Sequence, residues 1–119
     1  MDNSKRTMQE LWDHHGQAVA GRNLEAFLED FAHDCVFITP QRIYRGRKEI
    51  AEWFRNFVTM IEGAEFISDG PVFEQNVIFI KWDMESKTHS VKGATDTFVV
   101  KGGRFQILTV NIDAVSKGE

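Results

Sequence analysis

The chain has 119 residues, 42% of them hydrophobic and 27% charged, which is ordinary for one globular domain with its own core. We therefore expect a single domain over residues 1–119. A formal net charge of -4 without a basic stripe argues against nucleic acid as a partner, and the apolar runs are far shorter than a membrane span. Cys35 is the only cysteine, which excludes a disulfide framework. The N-terminus has no secretory apolar region, so we expect a cytoplasmic protein.

The first half of the chain has the three- and four-residue apolar spacing of amphipathic helices. It predicts a first helix from about Ser4 to Ala20, with His15 on its apolar face and the adjacent His14 in solvent. Asn23 is a suitable N-cap for a second helix. The elements predicted after it are the second helix Leu24–Phe31, strands Cys35–Thr39 and Arg42–Arg45, and a third helix Arg47–Ile61.

The second half alternates as strands do. The predicted strands are Ala64–Ser68, Val72–Phe73, Val77–Glu85, Ser90–Val100 and Phe105–Asp113, with a tight turn at Lys101-Gly102-Gly103-Arg104. Helices followed by a strand meander favour an α+β domain in which helices pack on one face of an antiparallel sheet.

The last predicted strand has two different faces. Leu108, Val110 and Ile112 form an apolar face, whereas the opposite face is too apolar for solvent and too polar for core. A sheet face of this mixed character is often covered by a second copy of the chain. We therefore expect a homodimer through the outer sheet face, which would carry Phe105, Ile107, Thr109, Asn111 and Asp113.

Asp96 is the most informative residue, because alternation places it on the same side of its strand as Ala94, Phe98 and Val100. A carboxylate on a core-facing side is costly unless it finds a partner or takes up a proton. Such groups are concentrated at functional sites, although structural hydrogen-bond networks hold them too. We expect a pocket around Asp96, and the structural alternative stays open.

His15 is the second candidate catalytic residue, as a base or an orienting partner of Asp96. The alternative is a core histidine without a chemical role. The ten Phe and three Trp indicate an aromatic core, part of which is expected to line a cavity for an apolar ligand. The expected ligand-binding residues are Phe27, Phe31, Ile38, Thr39, Trp53, Phe54, Phe57, Ile80, Trp82, Met84, Phe98, Leu108, Val110 and Ile112.

No pattern indicates a metal or a cofactor. The four histidines are scattered, whereas a metal site needs three or four converging ligands. Gly102-Gly103 lies in a turn and is no phosphate loop or dinucleotide fingerprint. Ser/His/Asp hydrolysis would need a nucleophile elbow, which the sequence does not contain.

Two stretches carry a family resemblance. One runs from Ala20-Gly21-Arg22-Asn23-Leu24-Glu25 through Phe31-Ala32-His33-Asp34-Cys35-Val36-Phe37 to Tyr44-Arg45-Gly46. The other runs from Asp96-Thr97-Phe98 to Gly103-Arg104-Phe105. Their order and spacing resemble the SnoaL-like and ketosteroid-isomerase-like proteins of the nuclear transport factor 2-like superfamily. The resemblance implies a cystatin-like fold, in which a cone-shaped, curved, antiparallel (mixed) sheet is closed by three N-terminal helices.

The resemblance also implies roles for particular residues. Asp96 matches the acid that donates a hydrogen bond to an oxyanion in ketosteroid-isomerase-like members, and His15 stands where those members have a tyrosine. Thr39 replaces their proton-abstracting carboxylate, so steroid isomerisation by the family mechanism is not expected.

Two functions are compatible with these residues. The first is a cofactor-independent isomerase, cyclase, dehydratase or hydrolase that acts on an apolar carbonyl or polyketide-like compound, with Asp96 and His15 as acid/base residues. The second is a non-catalytic ligand-binding or dimerisation module, which the replacement at Thr39 favours.

Overall fold

The structure is a computed structural model that describes residues 5–118. No helix within that range has both the length and the apolar character needed to cross a membrane. The elements are α1 (Met8–Ala20), α2 (Leu24–Glu29), β1 (Phe31–Ile38), β2 (Ile43–Arg45), α3 (Gly46–Met60), β3 (Glu65–Ser68), β4 (Val72–Glu74), β5 (Val77–Glu85), β6 (His89–Lys101), β7 (Arg104–Asn111) and β8 (Ala114–Ser116).

Helices α1 and α2 start after residues whose side chains cap them. Thr7 and Glu10 form a reciprocal capping box at the start of α1, and the Asn23 side chain accepts from the Ala26 N–H at the start of α2. The predicted start of α1 at Ser4 lies outside the described residues, and the helix itself begins at Met8. The third helix ends at Met60, close to the predicted end.

The strands form one mixed sheet in the order β2-β1-β7-β6-β5-β3, with β4 paired to β5 and β8 paired to β6. The β1–β7 pair is parallel, and the other pairs are antiparallel. The three helices pack on one face of this sheet, where the buried side chains form a single core. This arrangement confirms the predicted α+β class.

The boundary between α2 and β1 differs from the prediction. The helix ends at Glu29, and Phe31 begins the strand, pairing with Phe105. Phe31 is buried, and a buried apolar side chain is compatible with a helix or with a strand. The backbone carbonyl of Asp30 accepts from the Phe105 N–H at 2.7 Å, and this long-range bond places the residues after Glu29 in the sheet.

Phe105 does not lie on the outer face of the sheet, where the sequence placed it. The register of β6 and β7 shifts between Val99 and Val100, so Gln106 is an extra residue in the ladder. This bulge turns Phe105 inward, where it is fully buried. Ile107, Thr109 and Asn111 do lie on the exposed outer face, and the homodimer through it stays a prediction.

A buried ion cluster ties α1 to the sheet. The Asp30 side chain has no exposed area and accepts from Arg6 Nη1 at 2.9 Å and from His14 Nδ1 at 2.7 Å. Arg6 Nη2 also donates to the carbonyl of Gly103 at 2.8 Å. His14 was expected in solvent; its side chain is 35% exposed, but its Nδ1 is bound to the buried Asp30. Burial raises the pKa of Asp30, and the hydrogen bonds from His14 and Arg6 oppose that shift.

Asp30→Asn should lower the free energy of unfolding by about 3 kcal/mol, because Arg6 would keep its charge in a partly buried place without an anion. Urea denaturation measures the change. Asp13→Asn is the control, since Asp13 bonds only to the exposed Gln9 side chain among the described residues. A loss for Asp30→Asn no larger than that of the control would contradict a stabilising role for the cluster.

Candidate functional site

A cavity of about 260 Å³ lies between the inner face of the sheet and the helices. Helices α1 and α3 form one wall, and strands β5, β6 and β7 form the other. Its lining residues are Trp12, His15, Gly16, Val19, Ala20, Phe27, Trp53, Phe57, Phe66, Ser68, Ile80, Trp82, Asp96, Phe98, Leu108, Val110 and Ile112. The lining is almost entirely apolar, which suits a small apolar ligand.

Asp96 faces this cavity because of its place in the sheet. It lies in the middle of β6, opposite Ile80 on one side and Val110 on the other. The neighbours Ala94 and Phe98 point inward with it and are buried. The pattern that predicted an inward carboxyl is therefore the pattern that the strand adopts.

The Asp96 carboxyl group has one hydrogen bond among the described residues, from Trp82 Nε1 to Oδ1 at 3.1 Å. Trp82 lies on the adjacent strand β5, opposite Ala94. Burial among apolar walls raises the pKa of Asp96 to about 7, and the bond from Trp82 opposes this shift. At neutral pH the carboxyl group is thus present in both protonation states, and it can donate or accept a proton.

His15 lies on α1, and its ring is surrounded by aromatic side chains. Its ring centroid is 5.2 to 5.6 Å from those of Trp12, Phe27, Phe98 and Phe105. Burial, with a smaller contribution from His14, lowers the pKa of His15 to about 3. His15 is therefore a neutral imidazole near pH 7.

No hydrogen bond within residues 5–118 joins His15 to Asp96. The Nδ1 atom of His15 is buried without a hydrogen-bond partner in that part of the chain. Both predicted catalytic residues line the cavity, but they do not form the base-and-orienter pair considered from the sequence. Their catalytic roles stay predictions.

Most of the expected ligand-binding residues reach the cavity. Phe31, Phe54 and Met84 are instead buried in the core without lining it, and Ile38 is 38% exposed. Thr39 lies in a neighbouring depression. The expected residues that do line the cavity are Phe27, Trp53, Phe57, Ile80, Trp82, Phe98, Leu108, Val110 and Ile112.

Six lining residues were not expected from the sequence: Trp12, Gly16, Val19, Ala20, Phe66 and Ser68. Trp12 and Val19 lie three and four residues from His15, so the His15 position was a usable signal for these two. Gly16 and Ala20 are four and eight residues after Trp12 and lie on the adjoining side of the helix. Phe66 is on the edge strand β3, is 41% exposed and has its ring 5.6 Å from that of Trp82. Nothing in the short β3 sequence distinguishes its inner from its outer face.

Within residues 5–118, no three His, Cys, Asp or Glu side chains converge as metal ligands would. Cys35 is buried, and burial raises its pKa to about 11, so the thiol stays protonated and unreactive near neutral pH.

The chain matches a family model described as the SnoaL-like domain over residues 12–107. A comparison with curated protein sequences finds no significant match.

Solved structures share the fold. An NTF2-like protein of unknown function from Cytophaga hutchinsonii is 15% identical, with a TM-score of 0.74 and 92% of each chain covered. A proposed ketosteroid isomerase from Kribbella flavida is 13% identical, with a TM-score of 0.72, 92% of this chain and 79% of the other covered. A proposed polyketide cyclase from Sinorhizobium meliloti is 15% identical, with a TM-score of 0.68, 92% of this chain and 99% of the other covered. These likenesses confirm the predicted cone-type fold, which another match, from Nostoc punctiforme, describes as cystatin-like.

Asp96→Asn should change how stability depends on pH. The pKa of Asp96 is about 7 in the folded protein and 3.8 without the fold, so between these values the folded state binds a proton that the unfolded chain releases. The contribution of Asp96 to stability is therefore present below pH 4 and is lost as the pH rises to 7. Relative to the wild type, Asp96→Asn should gain up to about 4 kcal/mol between pH 4 and pH 8. Urea denaturation at several pH values measures this.

The control for that experiment is Asp69→Asn, an exposed aspartate outside the cavity. Curves of stability against pH that run parallel for the wild type and Asp96→Asn would show that the Asp96 pKa is not raised.

Trp82→Phe should raise the pKa of Asp96 above 7, by about one unit, because it removes the N–H that stabilises the ionised carboxylate. Carbon-13 NMR of labelled aspartate carboxyl groups follows the titration directly. Trp53→Phe is the matched control, since Trp53 lines the same cavity and has no bond to Asp96. An unchanged titration in Trp82→Phe would mean that the indole does not hold the carboxylate in solution.

Proposed function

Because the chain belongs to the SnoaL-like family of the NTF2-like superfamily, we propose that its cavity binds an apolar, carbonyl-containing or polyketide-like small molecule. Asp96 then performs acid/base chemistry on that molecule without a cofactor. The reaction is of the isomerase, cyclase, dehydratase or hydrolase type. A cytoplasmic location and a homodimer are part of the same proposal.

The observation that carries this proposal is a carboxyl group with a pKa of about 7 inside an apolar cavity. General acid/base catalysis is most effective when the pKa lies near the working pH. Ionisation of a carboxyl group is costly in an apolar cavity, and a site that only binds an apolar molecule gains nothing from such a group. The combination therefore favours proton transfer to or from a bound ligand.

The names of three solved structures with this fold are consistent with an enzymatic function. Proteins proposed as a ketosteroid isomerase, a polyketide cyclase and a SnoaL-like isomerase share the fold at 13 to 17% identity. Likeness at this level supports the fold alone, so the chemistry proposed here depends on the site.

In the proposed mechanism, Trp82 Nε1 holds Oδ1 of Asp96 and leaves Oδ2 to face the ligand. The ionised carboxylate accepts a proton from the carbon next to the ligand carbonyl. The resulting acid returns the proton to the carbonyl oxygen or to another carbon of the ligand. The cavity stays open to solvent at the half-buried residues Trp53 and Ile112, so the protonated Asp96 can also exchange its proton with water.

His15 has a supporting role in this scheme. Its low pKa makes it a poor base at neutral pH, but a neutral imidazole can still hydrogen-bond a ligand atom. Thr39 has no part in the proton transfer, because it lies outside the cavity and its hydroxyl is engaged in a turn with Arg42.

The alternative function is ligand binding without catalysis. One observation favours it: within residues 5–118, Asp96 is the only carboxyl group that lines the cavity, so one group has to both remove and return the proton. The two functions differ in whether bound carbonyl compounds exchange protons.

The test uses 2-acetylnaphthalene, a neutral aryl ketone. All three tryptophans line the cavity, so quenching of their fluorescence measures binding. Proton NMR in D₂O measures deuterium exchange at the acetyl methyl group, which reports proton removal next to the carbonyl. The wild type should bind the ketone and accelerate exchange. The rate at ketone concentrations well below saturation should rise with pH up to about 7 and then level off, because the ionised form of Asp96 in the free protein is the base.

Asp96→Asn should bind 2-acetylnaphthalene within fivefold of the wild type and lose exchange by about 100-fold or more. Asp69→Asn should keep both properties. If Asp96→Asn exchanges deuterium at the wild-type rate, the role of Asp96 as the base is contradicted. Binding without any exchange by the wild type would favour the binding module, and no binding would contradict both functions.

A further inference from the structure

A second depression of about 250 Å³ adjoins the cavity. It lies where the turn after β1 meets α3 and the end of β7. Its lining residues are Thr39, Pro40, Gln41, Tyr44, Trp53, Asn56, Phe57, Met60, Val110 and Ile112.

The cavity and this outer depression share one wall. Trp53, Phe57, Val110 and Ile112 line both. The rings of Trp53 and Phe57 are stacked, with centroids 4.6 Å apart and planes inclined by 17°. Trp53 and Ile112 are only half-buried, so they form a rim between the two spaces. A ligand can lie across this rim with one part on each side.

The outer depression has a different chemistry from the cavity. It contains the side-chain amides of Gln41 and Asn56, which have no hydrogen bond with any other described residue. Each amide offers two donors and one acceptor, a set that matches hydroxyl groups, since these also donate and accept. The rings of Tyr44 and Trp53 add flat apolar surface beside the amides.

In the part of the chain that the structure describes, no carboxylate, ammonium, guanidinium or imidazole group lines the outer depression. The neighbouring Arg42 already has interaction partners. Its guanidinium lies 4.4 Å from the Tyr44 ring centroid and forms an ion pair with Glu52 at 3.4 Å. The Thr39 hydroxyl is engaged as well, donating to the Arg42 carbonyl at 2.9 Å. A charged substituent would therefore find no free counter-charge in the lining.

We propose that the ligand has two parts, an apolar ring system in the cavity and an uncharged, hydroxyl-bearing substituent such as a sugar ring in the outer depression, where Asn56 and Gln41 recognise it. This proposal rests on the proposed function, because it extends the same bound molecule beyond the rim at Trp53 and Ile112.

Three naphthyl ethers test the proposal, with tryptophan fluorescence as the measurement of binding. 2-Methoxynaphthalene has only the apolar part. 2-Naphthyl β-D-glucoside adds an uncharged sugar, and 2-naphthyl β-D-glucuronide adds a sugar of the same shape with a carboxylate. The glucoside should bind at least tenfold more tightly than 2-methoxynaphthalene, and the glucuronide should bind more weakly than the glucoside.

Asn56→Leu should weaken binding of the glucoside by about fivefold to tenfold, because it removes the amide at similar volume. It should leave binding of 2-methoxynaphthalene within twofold, since Asn56 does not line the cavity. Gln17→Leu is the matched control: it makes the same kind of change at an exposed helix position outside both spaces. A native circular dichroism spectrum shows that each variant is folded.

The outcomes separate the two proposals. If 2-methoxynaphthalene binds and the sugar adds no affinity, or if Asn56→Leu weakens both probes equally, the two-part ligand is contradicted and the apolar cavity proposal stands. If the glucuronide binds as tightly as the glucoside, the requirement for an uncharged substituent is wrong. If no naphthyl probe binds, both proposals fail.

Discussion

The structure around the cavity depends on one constraint, the cost of an ionised carboxylate among aromatic side chains. Among the described residues, only Trp82 donates a hydrogen bond to Asp96, and burial raises the pKa of Asp96 to about 7 in spite of that bond. The walls that cause this shift are the walls that would hold a ligand. An apolar ligand that displaces water from the cavity would raise the pKa further, so ligand binding and the protonation of Asp96 are physically coupled.

The chain contains a second buried carboxylate, and the comparison between the two separates a structural role from a chemical one. Asp30 has no exposed side-chain area, but it is held by a guanidinium and an imidazole. Its environment supplies positive charge and several donors, so no ligand is needed to complete it. Asp96 has one neutral donor within residues 5–118 and open space beside it. The number of partners, more than burial alone, distinguishes the carboxyl group available for chemistry.

Strand alternation predicted the inward direction of Asp96, and helical spacing predicted the place of His15 on α1, because both patterns are local and unbroken there. Phe105 was placed on the wrong face because the bulge at Gln106 changes the alternation by one residue, and a bulge has no fixed sequence signal. The end of α2 was misplaced because Phe31 is equally apolar in a helix or a strand. Which aromatic residues line the cavity and which fill the core depends on tertiary packing, so Phe54 and Met84 could not be separated from Phe57 and Trp82 by sequence.

The bulge at Gln106 and a second bulge on β6 help to explain why an open cavity persists in so small a domain. Gly93, with a φ of 67°, opposes Asp83 together with Lys92, and Gln106 forms the bulge on β7. Bulges bend strands and increase twist, so they curve the sheet beside the cavity. Helix α1 cannot follow that curve inward, because Arg6 binds Asp30 and the Gly103 carbonyl and His14 binds Asp30. The cluster that fixes α1 therefore also fixes the adjacent His15 and Trp12 as one wall, at a distance from the sheet that leaves space beside Asp96.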